Sequence, residues 1–212
     1  MRKVNLIIIF VFFLFEVLII SNLHSKIINK IAIKVGNSLI TSIDVQNEII
    51  TNLIITNQEI TQKNVNDNKN FATKSLIYKL IKKSEIDKYE IKDYSKNDLE
   101  IYILNVSKSL NTNKNGLKEI FKQNNINYQA FVDRQKTDLL WNTLIYKLYR
   151  NQTNVNIVEV ENEVNKNKEN KNEEEIKKLK ETLLNKRKEE KLNLFSRSRL
   201  SNLENNIVIE FQ

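Results

Sequence analysis

Apolar residues recur every three to four positions along most of this chain, which is the spacing of amphipathic helices. After residue 41 the pattern predicts six helices, near 42–56, 71–89, 95–110, 117–123, 128–150 and 173–204. The polar stretch 57–70 is predicted to be a loop, and Gly116 is predicted to lie in a turn. The fifth helix carries the strongest apolar stripe, so we predict Trp141 at the centre of the core.

Two other stretches favour β-strands. Residues 31–35 and 38–41 are rich in β-branched side chains and flank Gly36 and Asn37, a pair that is frequent in hairpin turns. Near the other end of the chain, the stretch 207–211 alternates so that two isoleucines and a phenylalanine share one face. Because a lone strand needs a partner, we expect this last strand to pair with the hairpin in a small sheet over the helices.

Polar residues mark two helix starts. Thr41 and Asp44 have the spacing of an acidic capping box, which predicts that the hairpin leads directly into the first helix. Ser95 and Asp98 repeat the pattern at the third helix. The chain also contains no proline and only two glycines, and it is rich in lysine, glutamate, leucine and isoleucine. This composition favours helix throughout.

The predicted fold is therefore mainly α-helical, with a small antiparallel sheet formed by the N-terminal hairpin and the C-terminal strand. We expect one domain over 26–212, in which 151–172 is a polar connector and 173–212 forms the closing helix and strand. The side chains predicted to form the structural core are Ile33, Ile40, Leu80, Trp141, Leu144 and Ile209.

Residues 1–25 are predicted to be a signal peptide. A positively charged start precedes an unbroken apolar run at 6–15, which is shorter than the roughly 20 residues that a membrane span requires. Cleavage is expected after Ser25, with Ser21 as a second candidate, and an uncleaved membrane anchor stays open as an alternative. In both cases we expect the remainder of the chain to lie outside the cytoplasm.

Composition excludes several kinds of chemistry. The only histidine, His24, lies in the predicted signal peptide, and the chain has no cysteine. The mature chain would therefore lack Ser–His–Asp and Cys–His catalysis and the usual nitrogen–sulfur zinc sites. Two isolated glycines do not make a phosphate-binding loop, so no nucleotide and no other cofactor is expected. The formal net charge of +8 comes from lysines interleaved with acids, which argues against nucleic-acid binding.

Four segments, in this order along the chain, carry a resemblance to a known family: 31–45, 76–81, 126–145 and 196–211. Together they resemble the SurA N-terminal domain family, whose members are periplasmic chaperones of outer-membrane proteins. The first segment is similar to the family's hairpin and the start of its first helix. The third segment follows its long-helix pattern, with Phe131 and Arg134 in register, and the last is similar to its final helix and closing strand.

The chain also differs from this family in one respect. Family members usually carry parvulin-type prolyl isomerase domains before the final helix. The interval between Val160 and Ile176 has no room for a domain of about 100 residues, and the parvulin active-site histidines have no counterpart. The resemblance therefore implies a periplasmic, ATP-independent chaperone core that is not an enzyme. It would bind unfolded outer-membrane proteins or other exported polypeptides, and it would contact the membrane only through an uncleaved N-terminal segment.

Two alternatives stay open at this point. The alternatives to a chaperone are a degenerate prolyl isomerase of the parvulin type and a membrane-anchored helical adaptor. Side chains that contact a client cannot be separated from core side chains by pattern. Ile54, Tyr102 and Phe121 are candidate client contacts, although a core position suits each of them better.

Overall fold

A computed structural model describes residues 30–169 and 171–212; the predicted signal peptide lies outside them. The strands are β1 Ile31–Val35, β2 Ser38–Thr41 and β3 Ile209–Phe211. The helices are α1 Ser42–Ile55, α2 Gln62–Lys88, α3 Lys96–Ser109, α4 Lys114–Gln123, α5 Tyr128–Tyr149, α6 Ile157–Lys166 and α7 Glu173–Asn206. This arrangement confirms a mainly α-helical fold with a small antiparallel sheet.

The two ends of the described chain meet in the sheet, as expected. Its strand order is β2-β1-β3, and both pairings are antiparallel. Val35 pairs with Ser38 across the hairpin and with Ile209 on the other side. Gly36 permits the turn because its φ is +56°. Ile207 packs over it, with its Cδ1 only 3.3 Å from where a Cβ would lie.

The helix starts follow the predicted caps. Thr41 and Asp44 form a reciprocal capping box, in which the Thr41 N–H donates to the Asp44 carboxylate at 2.8 Å. The Ser95 hydroxyl accepts from the Asp98 N–H at 3.1 Å at the start of α3. Both helix starts could be predicted from sequence because each cap is completed within four consecutive residues.

The predicted loop 57–70 is wrong over most of its length. Thr61 caps a helix that begins at Gln62, nine residues earlier than the apolar pattern indicates. The first turns of α2 are polar on nearly every side, with Val65 as their half-buried apolar residue, so no stripe marks them. The predicted turn at Gly116 is also wrong, because Asn113 caps α4 and Gly116 lies within that helix.

The predicted polar connector 151–172 contains a helix. Its residues Val160 and Val164 are buried in α6 and pack against Leu183 of α7, forming a small cluster at the start of the long helix. Two valines four positions apart are too short a pattern to predict a helix from sequence, although they suffice to attach α6 to its neighbour.

Three further clusters make up the interior. The sheet cluster lies between the sheet, α1 and α2 and is formed by Ile33, Val35, Ile40, Val45, Ile49, Leu53, Ala72, Ile77 and Ile81. The aromatic cluster comprises Ile54, Ile103, Val106, Leu117, Phe121, Ile126 and Phe131. The tryptophan cluster comprises Ile86, Ile91, Trp141, Leu144 and Ile145. Trp141 therefore lies at the centre of one of several clusters rather than of a single core.

The side chains predicted as core lie at or beside these clusters. Four are buried, namely Ile33, Ile40, Trp141 and Leu144. Leu80 and Ile209 are half-buried and pack against the sheet cluster from its margin.

Polar side chains attach the second half of α7 to the rest of the fold. The hydrogen bonds run from Trp141 Nε1 to Ser196 Oγ at 2.8 Å, from Tyr78 Oη to Glu204 Oε2 at 2.9 Å, and from Arg199 Nη2 to the buried carboxylate of Glu85. Because they fix the last helix on α2 and α5, they also set where β3 meets the sheet.

Candidate functional site

A groove of about 390 Å³, which we call the sheet groove, opens beside the sheet. Its apolar wall is formed by Ala32 and Ile33 of β1, Val45 of α1 and Phe211 of β3. Lys69 and its neighbours on the polar part of α2 form the opposite rim. At the groove α2 presents the polar side chains of Lys69, Asn70 and Thr73, whereas its apolar residues pack against the sheet elsewhere.

Phe211 is the most exposed large apolar side chain of the described residues. It shares a strand face with Ile209 and is paired across the strands with Ile33. Ile33 is buried, yet 71% of Phe211 is exposed to solvent. An aromatic ring on the inner face of a sheet normally packs against a helix, whereas this ring lies exposed at the mouth of the groove.

The outer edge of β3 offers backbone hydrogen-bonding groups. The N–H of Gly36 donates to the Val208 carbonyl at 2.9 Å, and the N–H of Gln212 donates to the Ala32 carbonyl at 3.1 Å. Since backbone groups alternate in direction along a strand, those of Ile209 and Phe211 point away from β1. No other described strand lies on that side.

A second cleft, of about 310 Å³, lies between α2 and α5. Four cationic side chains line it, together with the rings of Phe71 and Tyr78, the acid Asp138 and two polar residues, Ser75 and Asn52. The cations are Lys74, Lys79, Lys82 and Arg134. Phe71 is 64% exposed at its mouth. We call this the α2–α5 cleft.

A network of hydrogen bonds forms the floor of the α2–α5 cleft. Arg134 Nη1 donates to Glu48 Oε1 at 2.7 Å and to Asn52 Oδ1 at 2.9 Å. Ser75 also donates to Glu48, at 2.7 Å. Because a guanidinium has only donors, Arg134 fixes the Asn52 amide with its oxygen inward. The Asn52 Nδ2 is then left without a partner among the described residues.

The charges on the walls are only partly balanced. Lys82 Nζ lies 2.7 Å from Asp138 Oδ1. Lys74 Nζ lies 5.2 Å from the ring centroid of Tyr78, four residues further along α2. The pKa of Lys74 is raised above its ordinary value, chiefly by its interaction with Tyr78 and less by the Glu204 carboxylate. Lys74 is thus a protonated cation at the rim.

The three candidate client contacts do not form a surface. Ile54 and Phe121 are buried in the aromatic cluster, and Phe121 has no exposed area. Tyr102 is half-buried, with its ring 5.9 Å from that of Phe131. Ile54 and Phe121 are therefore corrected to core positions, because almost none of their surface is available to a client.

Sequence reasoning missed the exposed aromatic residues. Phe71 and Phe211 are apolar residues in predicted elements, and nothing in the pattern separates them from Phe121. One local signal was present for Phe71, since it is followed on the same helix face by Lys74 and Tyr78 rather than by aliphatic residues.

Among residues 30–169 and 171–212 no group of three or more histidine, cysteine, aspartate or glutamate side chains has the geometry to hold a metal ion. In the same residues no helix is long and apolar enough to cross a membrane. No family model matches the sequence, and no curated protein is significantly similar to it. The resemblance to the SurA N-terminal domain family therefore rests on the four segments alone.

Proposed function

We propose that this protein is an ATP-independent chaperone that binds unfolded exported polypeptides in the periplasm, with outer-membrane proteins as its clients. The observation that carries the proposal is the exposed Phe211 ring at the mouth of the sheet groove, on the strand β3, whose outer edge pairs with no other described strand. The resemblance to the SurA N-terminal domain family and the apolar run at 6–15 support the location and the client class.

An extended client segment can pair with β3 as a fourth strand. The backbone groups of Ile209 and Phe211 would hydrogen-bond to it whatever its sequence, as in other cases of strand addition. Alternate client side chains would then lie against Phe211 and the groove, which favours segments that alternate apolar and polar residues. Unfolded β-barrel strands have this alternation.

The edge is short, and this matters for release. β3 has three residues, so a bound segment gains few backbone hydrogen bonds. Each contributes about 1 kcal/mol net, which gives weak binding that a client can leave without an energy source. A short edge also limits pairing between two copies of the chain.

Light scattering tests this proposal directly. A denatured β-barrel protein is diluted into buffer alone or with a several-fold excess of the purified chain. We expect the chain to suppress scattering, and Phe211→Ser to suppress it less. Leu194→Ser is the matched control, because Leu194 is similarly exposed but lies on α7, away from the groove. No suppression by the unaltered chain, or equal suppression by Phe211→Ser, would contradict the proposal.

We also propose that the chain does not catalyse prolyl isomerisation. This part of the proposal rests on the resemblance, since the interval between Val160 and Ile176 is too short for the family's isomerase domain. Relaxation of an X-Pro peptide, which takes tens of seconds or longer without catalysis, should be unchanged when the chain is added. A concentration-dependent acceleration would overturn this part of the proposal.

A further inference from the structure

We propose that the α2–α5 cleft is a second binding site, which takes carboxylate side chains of acidic polypeptide segments. It is separate from the sheet groove, since no residue lines both. The inference stands on the charges and geometry of the cleft and does not depend on strand addition at β3.

The cleft carries positive charge that its own acids do not neutralise. Asp138 is the acidic side chain that lines it, and Asp138 is paired with Lys82. Among the described residues no ion pair includes Lys74 or Lys79. The carboxylate whose charge acts on Lys74, that of Glu204, accepts a hydrogen bond from Tyr78 at 2.9 Å. Two ammonium groups are therefore available to an incoming anion.

The donor types favour a carboxylate over a phosphate. Bidentate recognition of a phosphate requires the planar fork of an arginine, whereas a lysine binds as a point charge. The guanidinium of Arg134 is already engaged with Glu48 and Asn52, at 2.7 and 2.9 Å. What remains are the two lysines, which act as point charges, and these match one or two singly charged carboxylates. A more highly charged phosphate would also approach Asp138.

The rest of the cleft suits a polypeptide. The exposed ring of Phe71 and the side of Tyr78 offer apolar surface to the stem of a glutamate or to an adjacent apolar side chain. At the floor, Asn52 Nδ2 is a buried donor with no partner among the described residues. The volume of about 310 Å³ admits one or two side chains rather than a folded partner.

Fluorescence anisotropy of a labelled peptide tests this site in the full chain. The peptide contains glutamates spaced by apolar residues, and a second peptide has glutamine in place of every glutamate. We expect the glutamate peptide to bind and the glutamine peptide to bind much more weakly. The double variant Lys74→Gln, Lys79→Gln should weaken the glutamate peptide about fivefold, since it removes two partly exposed ion pairs.

A matched control has the same change in charge. Lys177 and Lys178 are exposed on α7, and Lys177→Gln, Lys178→Gln should leave binding unchanged. The conservative pair Lys74→Arg, Lys79→Arg should restore it. Equal binding of both peptides, or equal losses in the cleft and control variants, would overturn the proposal, because either result would mean that binding follows net charge or apolar contact rather than this site.

Two further measurements separate related explanations. Phe211→Ser should leave binding of the glutamate peptide unchanged, so that failure of one site does not imply failure of the other. Inorganic phosphate and acetate are compared as competitors at equal ionic strength. Similar, weak competition supports a carboxylate site on a polypeptide, whereas selective displacement by phosphate would overturn that assignment.

Discussion

Arg134 of α5 lies 2.7 Å from Glu48 of α1, although 86 positions separate them in the sequence. Both side chains are largely buried, and Ser75 of α2 donates a second hydrogen bond to the same carboxylate oxygen. The pair therefore joins three helices at the floor of the α2–α5 cleft. Arg134 is one of the positions on which the family resemblance rests, and this contact provides a structural reason for an arginine there.

Replacing Arg134 with methionine should destabilise the fold strongly. The substitution leaves the Glu48 carboxylate buried without a cation, and breaking a buried pair in this way costs about 3 kcal/mol. Urea unfolding measures the loss. The double variant Glu48→Leu, Arg134→Met should be less destabilised than Arg134→Met alone, since no charge is then left buried. A cost below about 1 kcal/mol for Arg134→Met would show that water already solvates the pair.

Removing residues 207–212 should destabilise the whole domain. The deletion exposes one edge of β1 and removes the half-buried side chains of Ile207 and Ile209, at a cost of about 2 kcal/mol. The melting temperature should fall by roughly 5 °C. Val208→Ser is the control, because Val208 is exposed and its loss should change little. An unchanged melting temperature after the deletion would show that β3 does not stabilise the sheet.

Tyr128→Phe should stabilise the protein. The Tyr128 hydroxyl is buried without a partner among the described residues, so removing it saves up to about 1 kcal/mol. Burial also raises the pKa of Tyr128 above its ordinary value of 10.0, so the folded state holds the proton longer than the unfolded state. The cost of burying the hydroxyl is therefore constant below pH 10.0 and grows as the pH rises further, because the unfolded state then loses the proton more readily than the folded state.

Thermal unfolding of the Tyr128→Phe variant at two pH values, near neutral and above the ordinary tyrosine pKa, tests both statements. The gain in stability over the unaltered chain should be larger at the higher pH. Tyr146→Phe is the control, because Tyr146 is exposed and its substitution should not reproduce the pH dependence. A loss of stability in Tyr128→Phe at neutral pH would mean that the hydroxyl has a partner.

Ser196→Ala should loosen the attachment of α7. The substitution removes the acceptor of the Trp141 indole N–H and leaves a buried donor unpaired, at a cost of about 1 kcal/mol. Trp141 is the only tryptophan in the chain, so tryptophan fluorescence reports on the surroundings of this one side chain. We expect the melting temperature to fall. The fluorescence spectrum of the folded protein should change only slightly. Ser198→Ala, on an exposed position of the same helix, should have no effect.

The fold could be predicted where its causes are local. The capping box at Thr41 and Asp44 and the hairpin turn at Gly36 need only a few consecutive residues. The pairing of β3 with the hairpin followed because the chain offered few other strands. The start of α2 was missed since Thr61 begins a helix with no apolar stripe, and α6 was missed because Val160 and Val164 are its only buried side chains.

The candidate sites depend on tertiary contacts and could not be predicted in the same way. Phe121 and Phe211 are equivalent as sequence features, yet one is enclosed by α3, α5 and its own helix while the other lies at a groove that α2 leaves open. The pairing of Glu48 with Arg134 likewise joins helices whose relative position no local pattern encodes. Which aromatic residue is available to a client is therefore decided by packing.

The most direct test of strand addition at β3 is photo-crosslinking from position 211. A photoreactive phenylalanine analogue is placed there, and in a second variant at position 146, where Tyr146 is exposed on α5. Each variant is mixed with a denatured β-barrel protein and irradiated. Chaperone binding at the sheet groove predicts client crosslinks from position 211 and few from position 146. Equal crosslinking from both positions, or none from position 211, would contradict it.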